Sequence, residues 1–440
     1  MPRNLLLIVL DDVGVEKLAP YGLASSYPAT PRFDALAANG VRFTRAYGAP
    51  ICGPTRAALQ TGRYAFRTGF GTNVADSDGP RGFRLPDTET FLPEMLRTAN
   101  YVSGAFGKWH LTWGNGDELH PNRNGYVHFA GCMGNTLGFG NGTGMYDWRR
   151  VVDGAASFVT GPPFDTTQWQ ASVARADAVA WIRAQSRPWF AYVAFNPPHA
   201  PYAVPPFELL STRRRQALER ENLAPGHTIT NAHPPAQRLL VYDACIEAVD
   251  VELGRLIDEA TNANTLVLLI GDNGTPGEVI QPPYVPQHAK RSLFEQGIRV
   301  PLVAAGAGVA RPGRTSDALV HAVDVWRTLA NAAGVSLATP GAGRDSVSFL
   351  PVLENPAAVG ARTRVFTQSF KPNGFGPHLV ELFAILDGRY KLLRIGGADQ
   401  FYEIAVDPRE TNDLLAAGLT PEQSDAYSAL SEALEQVLNS

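Results

Sequence analysis

The sequence predicts an α/β protein: a large, mixed but mostly parallel sheet sandwiched by helices, with a smaller C-terminal α+β subdomain carrying an antiparallel sheet. The first observation is a set of short apolar runs. LLLIVL (5–10), WFAYVAF (189–195), TLVLLI (265–270) and VPLVAAG (300–306) have strand length and no polar face. Such runs mark strands covered by helices on both sides, as in parallel sheets. The second is helical periodicity between the runs, at about 31–39, 54–61, 89–98, 168–185, 236–260 and 321–333. The third is a change of character near residue 355. ELFAILDGRYKLLRI reads as a strand, a turn at Asp387-Gly388 and a second strand, QFYEIAVDPRETND adds a short strand and a turn, and an amphipathic helix follows from about Pro421. The expected division is a main α/β domain over 1–355 and an α+β subdomain over 356–440. Two segments are expected as long loops: 112–164, rich in Gly and Asn, and 201–235, which contains STRRRQALEREN. In open α/β sheets, loops at the carboxyl ends of strands build the site. The triple Arg reads as a solvated helix face.

Composition narrows the class. The chain has 440 residues, 45% of them hydrophobic and 18% charged, with a formal net charge of −4. That balance suits a folded globular protein and argues against a nucleic-acid binder working through a broad basic field. Three widely spaced cysteines, Cys52, Cys132 and Cys245, give neither a disulfide framework nor a Cys-rich zinc site. Cys245 sits on the apolar stripe of a helical pattern and reads as a core thiol. Cys132, in FAGCMGN, reads as part of a Gly-rich loop with no assigned role. The N-terminal MPRNLLLIVLDD has an apolar run too short for a signal peptide, lacks a cleavage site and ends in two acids, so it reads as a buried strand delivering carboxylates. No stretch approaches the roughly 20 apolar residues that span a bilayer. The expectation is a soluble, cytoplasmic protein that does not engage a membrane and is compatible with a homo-oligomer.

Oxygen donors collect after the apolar runs. Asp11 and Asp12 follow the first strand, and Asp272 and Asn273 follow LLIG. Each pair alone is equally a turn or a cap. Together, on one edge of a parallel sheet, they would repel one another unless a cation compensated them. Hard oxygen ligands favour Ca²⁺ or Mg²⁺ over zinc. Cations follow other runs: Lys108 and His110 in FGKWHLTW, His199 in NPPHAPY, and His288 and Lys290 in HAKRSLFEQGIRVP. Cations among oxygen ligands suggest an anion bound partly through a metal. Cys52 opens CGPTRAALQTGR, where Pro54 suits the first turn of a helix. Helix N-termini favour negative charge and lower thiol pKa values. On these grounds Cys52 is a thiolate nucleophile, a metal ligand or a precursor of another group.

The ordered set of motifs resembles the sulfatase family. Cys52-Gly53-Pro54-Thr55-Arg56, with Leu59, Thr61, Gly62 and Arg63 behind it, is similar to the family's C-x-P-x-R signature and its downstream T-G-R. TPRFDALAANGVRFTRAY (30–47), GKWHL (107–111), DNG, KRSLFEQGIRVP and the C-terminal RYKLL…FYEIAVDPRETNDL have family counterparts. The resemblance implies an alkaline-phosphatase-like fold and hydrolysis of sulfate monoesters, in the manner of an arylsulfatase. It implies that a formylglycine-generating enzyme oxidises Cys52 to formylglycine, whose hydrated diol is the nucleophile. It implies that Asp11, Asp12, Asp272, Asn273 and the modified Cys52 hold Ca²⁺, with Mg²⁺ or Mn²⁺ as alternatives. Arg56 would pair with the modified side chain and the metal carboxylates. Lys108, His199 and Lys290 would contact the sulfate, with His199 or Lys290 protonating the leaving group. His110 would hold one diol hydroxyl and later deprotonate it. Lys290 takes this role rather than Arg291 because the family lysine lies five residues before the Glu, here Glu295.

The chain departs from the pattern at Gly53, where Ser, Thr or Ala is usual, and at Gln296, where a second Gly is common. Neither change removes a functional group. The expected partner is a small-molecule or saccharide sulfate ester. Trp113, Tyr146, Trp148 and Trp169 read as core or loop anchors in preference to a sugar-stacking pocket. The rival readings are a phosphate or phosphonate ester hydrolase of the same superfamily and a catalytically silent binding protein. The first tends to carry a His in place of Asn273 and to lack the Lys-x-His pair at 108 and 110. The second would lack a ligand or the nucleophile.

Overall fold

The computed structural model describes residues 2–74, 83–112, 116–136, 142–336 and 341–440. The N-terminal run forms β1 (Asn4–Leu10). Its side chains alternate between two cores: Leu5, Leu7 and Val9 join one cluster, and Leu6, Ile8 and Leu10 the other. Complete burial of a Leu or Ile contributes about 1.5–3 kcal/mol, so both faces of this strand are held firmly.

Among the described residues the main sheet has ten strands. In chain order these are β1, β2 (Gly40–Tyr47), β3 (Val102–Lys108), β4 (His128–Cys132), β5 (Trp148–Val152), β6 (Ala155–Val159), β7 (Trp189–Ala194), β10 (Thr265–Gly271), β11 (Leu302–Gly306) and β12 (Arg314–His321). β8 (Tyr202–Ala203) and β9 (Thr228–Ile229) form a separate two-stranded pair. The order across the main sheet is β12-β2-β11-β10-β1-β7-β3-β4-β5-β6. Adjacent strands from β10 through β4 run parallel, as do β12 and β2. The remaining neighbours are antiparallel, so the sheet is mixed and mostly parallel at its centre. Helices Gln170–Arg183 and Pro235–Ala260 pack together and supply the second core, while Cys52–Thr61 and Val323–Ala332 supply the first.

Two expectations need correction. The run 300–306 suggested a parallel strand, but β11 is antiparallel to both its neighbours. It is apolar because it lies inside the sheet, and burial on both faces says nothing about direction. The segment 112–164 is not a long loop, because β4, β5 and β6 extend the sheet through it. Cys132 is accordingly the last residue of β4, and it is buried. Asp153 and Gly154 join β5 to β6 with φ of 45° and 86°, the backbone that a two-residue Asp-Gly hairpin requires.

The segment 201–235 also carries structure, holding β8, β9 and the helix Thr212–Arg220 capped by Ser211. Of its arginines, Arg214 pairs with Glu247 at 2.9 Å and Arg215 with Glu219 at 2.9 Å, while Arg213 lies on the exposed face.

After helix Leu350–Glu354, four strands form an antiparallel sheet in chain order: β13 (Val365–Lys371), β14 (Val380–Leu386), β15 (Lys391–Ile395) and β16 (Ala398–Tyr402). Helix Pro421–Leu438 closes the chain, and its Leu430, Ala433 and Leu434 join the first core of the main sheet. Among the described residues no helix is long and apolar enough to cross a membrane.

Candidate active site

The register of the central strands builds the site. Leu10 of β1 lies beside Gly271 of β10, so the next residues, Asp11-Asp12 and Asp272-Asn273, emerge side by side. The Asp12 amide donates to Asp272 Oδ1 at 3.1 Å, and Asp12 turns away with φ of 61°. β7 and β3 run parallel in the same sheet, so His199, beyond β7, and Lys108, at the end of β3, reach the same edge.

Helix Cys52–Thr61 approaches that edge with its first turn. Positions i, i+3 and i+4 share a helix face, and here they are Cys52, Thr55 and Arg56. Thr55 Oγ1 donates to the Asp272 carbonyl at 2.6 Å. Arg56 is fully buried; it donates to Asp272 Oδ2 at 2.8 Å, to the Lys108 carbonyl at 3.0 Å and to Tyr192 Oη at 3.3 Å.

Cys52 Sγ lies 3.4 Å from Asp11 Oδ1 and 3.5 Å from Lys290 Nζ. Lys290 also pairs with Asp12, and Lys108 with Asp11. His199 Nε2 stands 3.9 Å from Asp12 Oδ2, and its Nδ1 lies 2.7 Å from the Ala200 carbonyl. The ligand atoms of Asp11, Asp12, Cys52 and His199 all fall within 4.8 Å of one another. His110 follows β3 with φ of 61°; it is buried, and among the described residues its Nδ1 has no hydrogen-bond partner. His288 is elsewhere: its ring stacks on Phe294 with centroids 3.6 Å apart and does not join the cluster.

The electrostatics correct one expectation. A helix N-terminus should acidify a thiol, yet burial and then the Asp11 charge push the Cys52 thiol above its ordinary value, outweighing Lys108 and Lys290. A thiolate is therefore not the resting form. Burial also raises Asp11, but Lys108, His199, Arg56 and Lys290 together hold its carboxyl well below the usual range. Asp272, crowded by burial and by Asp11, is pushed up to about 7. Burial and then Lys108 drive His110 well below 6.5 and His199 down to about 4, so both imidazoles are neutral near pH 7. Burial opposes the charge on Lys290, but Asp12 raises it above its ordinary value.

A family model described as Sulfatase matches residues 3–335, and one described as N-sulphoglucosamine sulphohydrolase, C-terminal, matches 287–440. The chain belongs to the sulfatase family. It is 31% identical to N-acetylgalactosamine-6-sulfatase of Homo sapiens over 80% of its own length and 66% of that protein's. It is 31% identical to arylsulfatase A of Bos taurus over 89% of its own length and 74% of that protein's. The chain thus spans 66% of the length of the first relative. Its fold matches the solved structure of Ps i-CgsB in complex with k-i-k-neocarrahexaose with a TM-score of 0.76 at 23% identity, covering 99% of this chain and 92% of that one.

The donor set of this chain suits a hard cation. Three carboxylates converge, and Asn273 Oδ1 is buried with no hydrogen-bond partner among the described residues, while its Nδ2 donates to Asp12 Oδ1 at 2.8 Å. A buried acceptor with a free lone pair beside carboxylates is the chemistry of a Ca²⁺ or Mg²⁺ ligand.

Several contacts at the candidate site carried no sequence signal. Tyr192 sits in an apolar strand, and Tyr242, whose hydroxyl donates to the Asp12 carbonyl, sits in a long helix. Both read as core. Asn73 accepts from the Gly53 amide at 2.8 Å from a stretch without a recognisable pattern. Of the aromatic candidates, Tyr146, Trp148 and Trp169 are buried anchors, and Trp113 lies outside the described residues.

Proposed function

We propose that this chain hydrolyses sulfate monoesters, with residue 52 acting as nucleophile after conversion of its thiol to formylglycine. The observation that carries this reading is the placement of Cys52: fully buried, with a thiol too weakly acidic to work as a thiolate, yet set against Asp11, Asp12 and Lys290. A thiol so enclosed is a poor nucleophile and a sensible precursor. Its burial in the fold also favours oxidation by a formylglycine-generating enzyme before folding.

The remaining groups then divide the work. Lys108 and Lys290 flank the position where a sulfate would lie and meet its charge with fixed ammonium donors, while His199, neutral and with its Nδ1–H directed at the Ala200 carbonyl, presents Nε2 there as a proton acceptor. Arg56 holds Asp272 and Asp11 and the end of β3 in place. His110, neutral and with a free ring nitrogen, accepts a proton from the hydrated side chain of residue 52. Asp11, Asp12, Asp272, Asn273 and residue 52 would hold Ca²⁺, which when bound supplies Lewis-acid stabilisation of sulfuryl and nucleophile oxygens. Mg²⁺ or Mn²⁺ is the alternative ion.

A saccharide sulfate is the preferred substrate class. The similarity to a protein named N-acetylgalactosamine-6-sulfatase supports it, and so does a cleft above Lys290 whose mixed walls offer Tyr202, Thr230, Asn231 and Glu278 to hydroxyl groups. The test is sulfate release from an aryl sulfate and from sulfated hexosamines, using protein made beside the modifying enzyme. Cys52→Ala and His110→Ala are each expected to lower the rate by at least about 10²-fold. A parent protein that released no sulfate while cleaving a phosphonate ester would overturn the reading.

A further inference from the structure

The cleft above the site opens outward from Asp12, His199 and Lys290 with a volume of about 690 Å³. Tyr202, Thr230, Asn231, Glu278 and Arg291 line its walls. Glu278 is committed, accepting from Tyr202 Oη at 2.9 Å. Arg291 is not. It is exposed, and among the described residues its guanidinium has neither an ion pair nor a hydrogen bond. The cations below it are all paired: Arg56 with Asp272, Lys108 with Asp11, Lys290 with Asp12.

The backbone of Arg291 is costly for an arginine. Its φ is 81°, a left-handed conformation that glycine adopts without penalty. Its amide donates to the Pro50 carbonyl at 2.8 Å, which pins the residue to the segment leading into Cys52. The side chain therefore leaves a fixed point on the rim, one residue beyond the lysine that faces Cys52. A planar fork of donors is suited to a carboxylate or a sulfate.

We propose that Arg291 forms a second anion subsite, which binds a further carboxylate or sulfate on the saccharide whose scissile sulfate lies at Lys108 and Lys290. This rests on the sulfate-ester reading of the site. It makes the substrate a saccharide with at least two anionic groups. Glu278, which also lines the cleft, would face neutral hydroxyls and repel an anion placed beside it.

Calorimetric titration of the Cys52→Ala protein, which needs no turnover, tests the subsite. Three disaccharides are compared: one monosulfated, the same with a second sulfate, and the same with a uronate. At least one added anion is expected to tighten Kd by about ten- to a hundredfold. The arm that gains identifies which anion is read. Adding Arg291→Ala should bring the ratio of dianionic to monoanionic Kd close to one without moving the thermal midpoint. Arg291→Lys should restore part of the ratio, because it keeps the charge and loses the fork. Equal binding of all three sugars, or a ratio unchanged by Arg291→Ala, would overturn the proposal. A chain that bound in the expected way yet released no sulfate from any ester would instead sink the hydrolase reading and leave the subsite standing.

Discussion

Gly53 follows Cys52 where the family pattern has a side chain, and its surroundings give the reason. A Cβ at Gly53 would lie 2.7 Å from Phe70 Cε1 and 3.0 Å from Asn73 Oδ1. Phe70 is buried and packs on Phe83, so it cannot easily withdraw. Gly53→Ala is expected to destabilise the fold by about 0.5–2 kcal/mol, an overpacking cost of about 1–3 kcal/mol partly offset by the better helix former. Urea unfolding would measure it. In a Phe70→Leu background the same change should cost less, and strict additivity of the two substitutions would refute the clash. Asn273 permits a second test at this scale. If its unpartnered Oδ1 serves Ca²⁺, saturating calcium should raise the stability of the parent by about 2.7 kcal/mol at a hundredfold excess over Kd. Asn273→Ala should lose most of that gain. A parent whose thermal midpoint ignores both calcium and chelator would sink the metal assignment. The motif residues were legible in the sequence because they are polar groups stranded at the ends of apolar runs. Tyr192 and Tyr242 were not, because an aromatic residue on a buried face has the same pattern whether its hydroxyl serves the core or the site.

The element that carries Lys290 is anchored from a distance. Helix Glu295–Ile298 begins five residues after Lys290, and Glu295 is buried. Lys391 of β15 lies 3.3 Å from Glu295 and 2.8 Å from Glu410, Tyr47 Oη donates to Glu295 at 3.3 Å, and Glu410 accepts from the Glu295 amide. The C-terminal sheet thus plants one ammonium between two buried carboxylates beneath the loop that carries Lys290. Removing that charge leaves both acids uncompensated, so Lys391→Met is expected to cost about 3–5 kcal/mol. The triple variant Lys391→Met, Glu295→Gln, Glu410→Gln should recover much of the loss, because apolar or neutral replacement of a whole buried ionic group is tolerated better than half of it. Equal unfolding midpoints for the parent and Lys391→Met would show that the cluster does not hold the loop. Element existence was readable where runs were apolar throughout. Direction and edge strands were not: β11 is apolar because it is covered, and β5 (WRRVV) and the exposed β6 (AASFV) are too short to give a clear alternation despite the Asp153-Gly154 turn.

At the scale of the whole molecule, stability is expected to fall on acidification for a reason outside the active site. His321 ends β12 and is buried, with its Nδ1 accepting from the Val323 amide at 3.2 Å and its Nε2 unpartnered among the described residues. Tyr64 packs edge-on at 5.7 Å, Asp324 takes the His321 amide, and the charge of the Arg362 guanidinium, paired with Asp324, disfavours a proton on the ring. Burial and then Arg362 lower the imidazole to about 3. A group depressed in the fold stabilises it fully above its unfolded value, near 6.5 for histidine, and loses that contribution as pH falls toward the folded value. The slope from this one group is about 1.4 kcal/mol per pH unit below 6.5. His321→Asn keeps an acceptor for the Val323 amide and cannot take up the proton. Unfolding free energies at about pH 7.5 and about pH 5.5 should therefore drop less for His321→Asn than for the parent, by roughly 1.4 kcal/mol. An identical drop in both proteins would mean that the ring finds a way to ionise inside the fold, and that acid sensitivity arises at other groups.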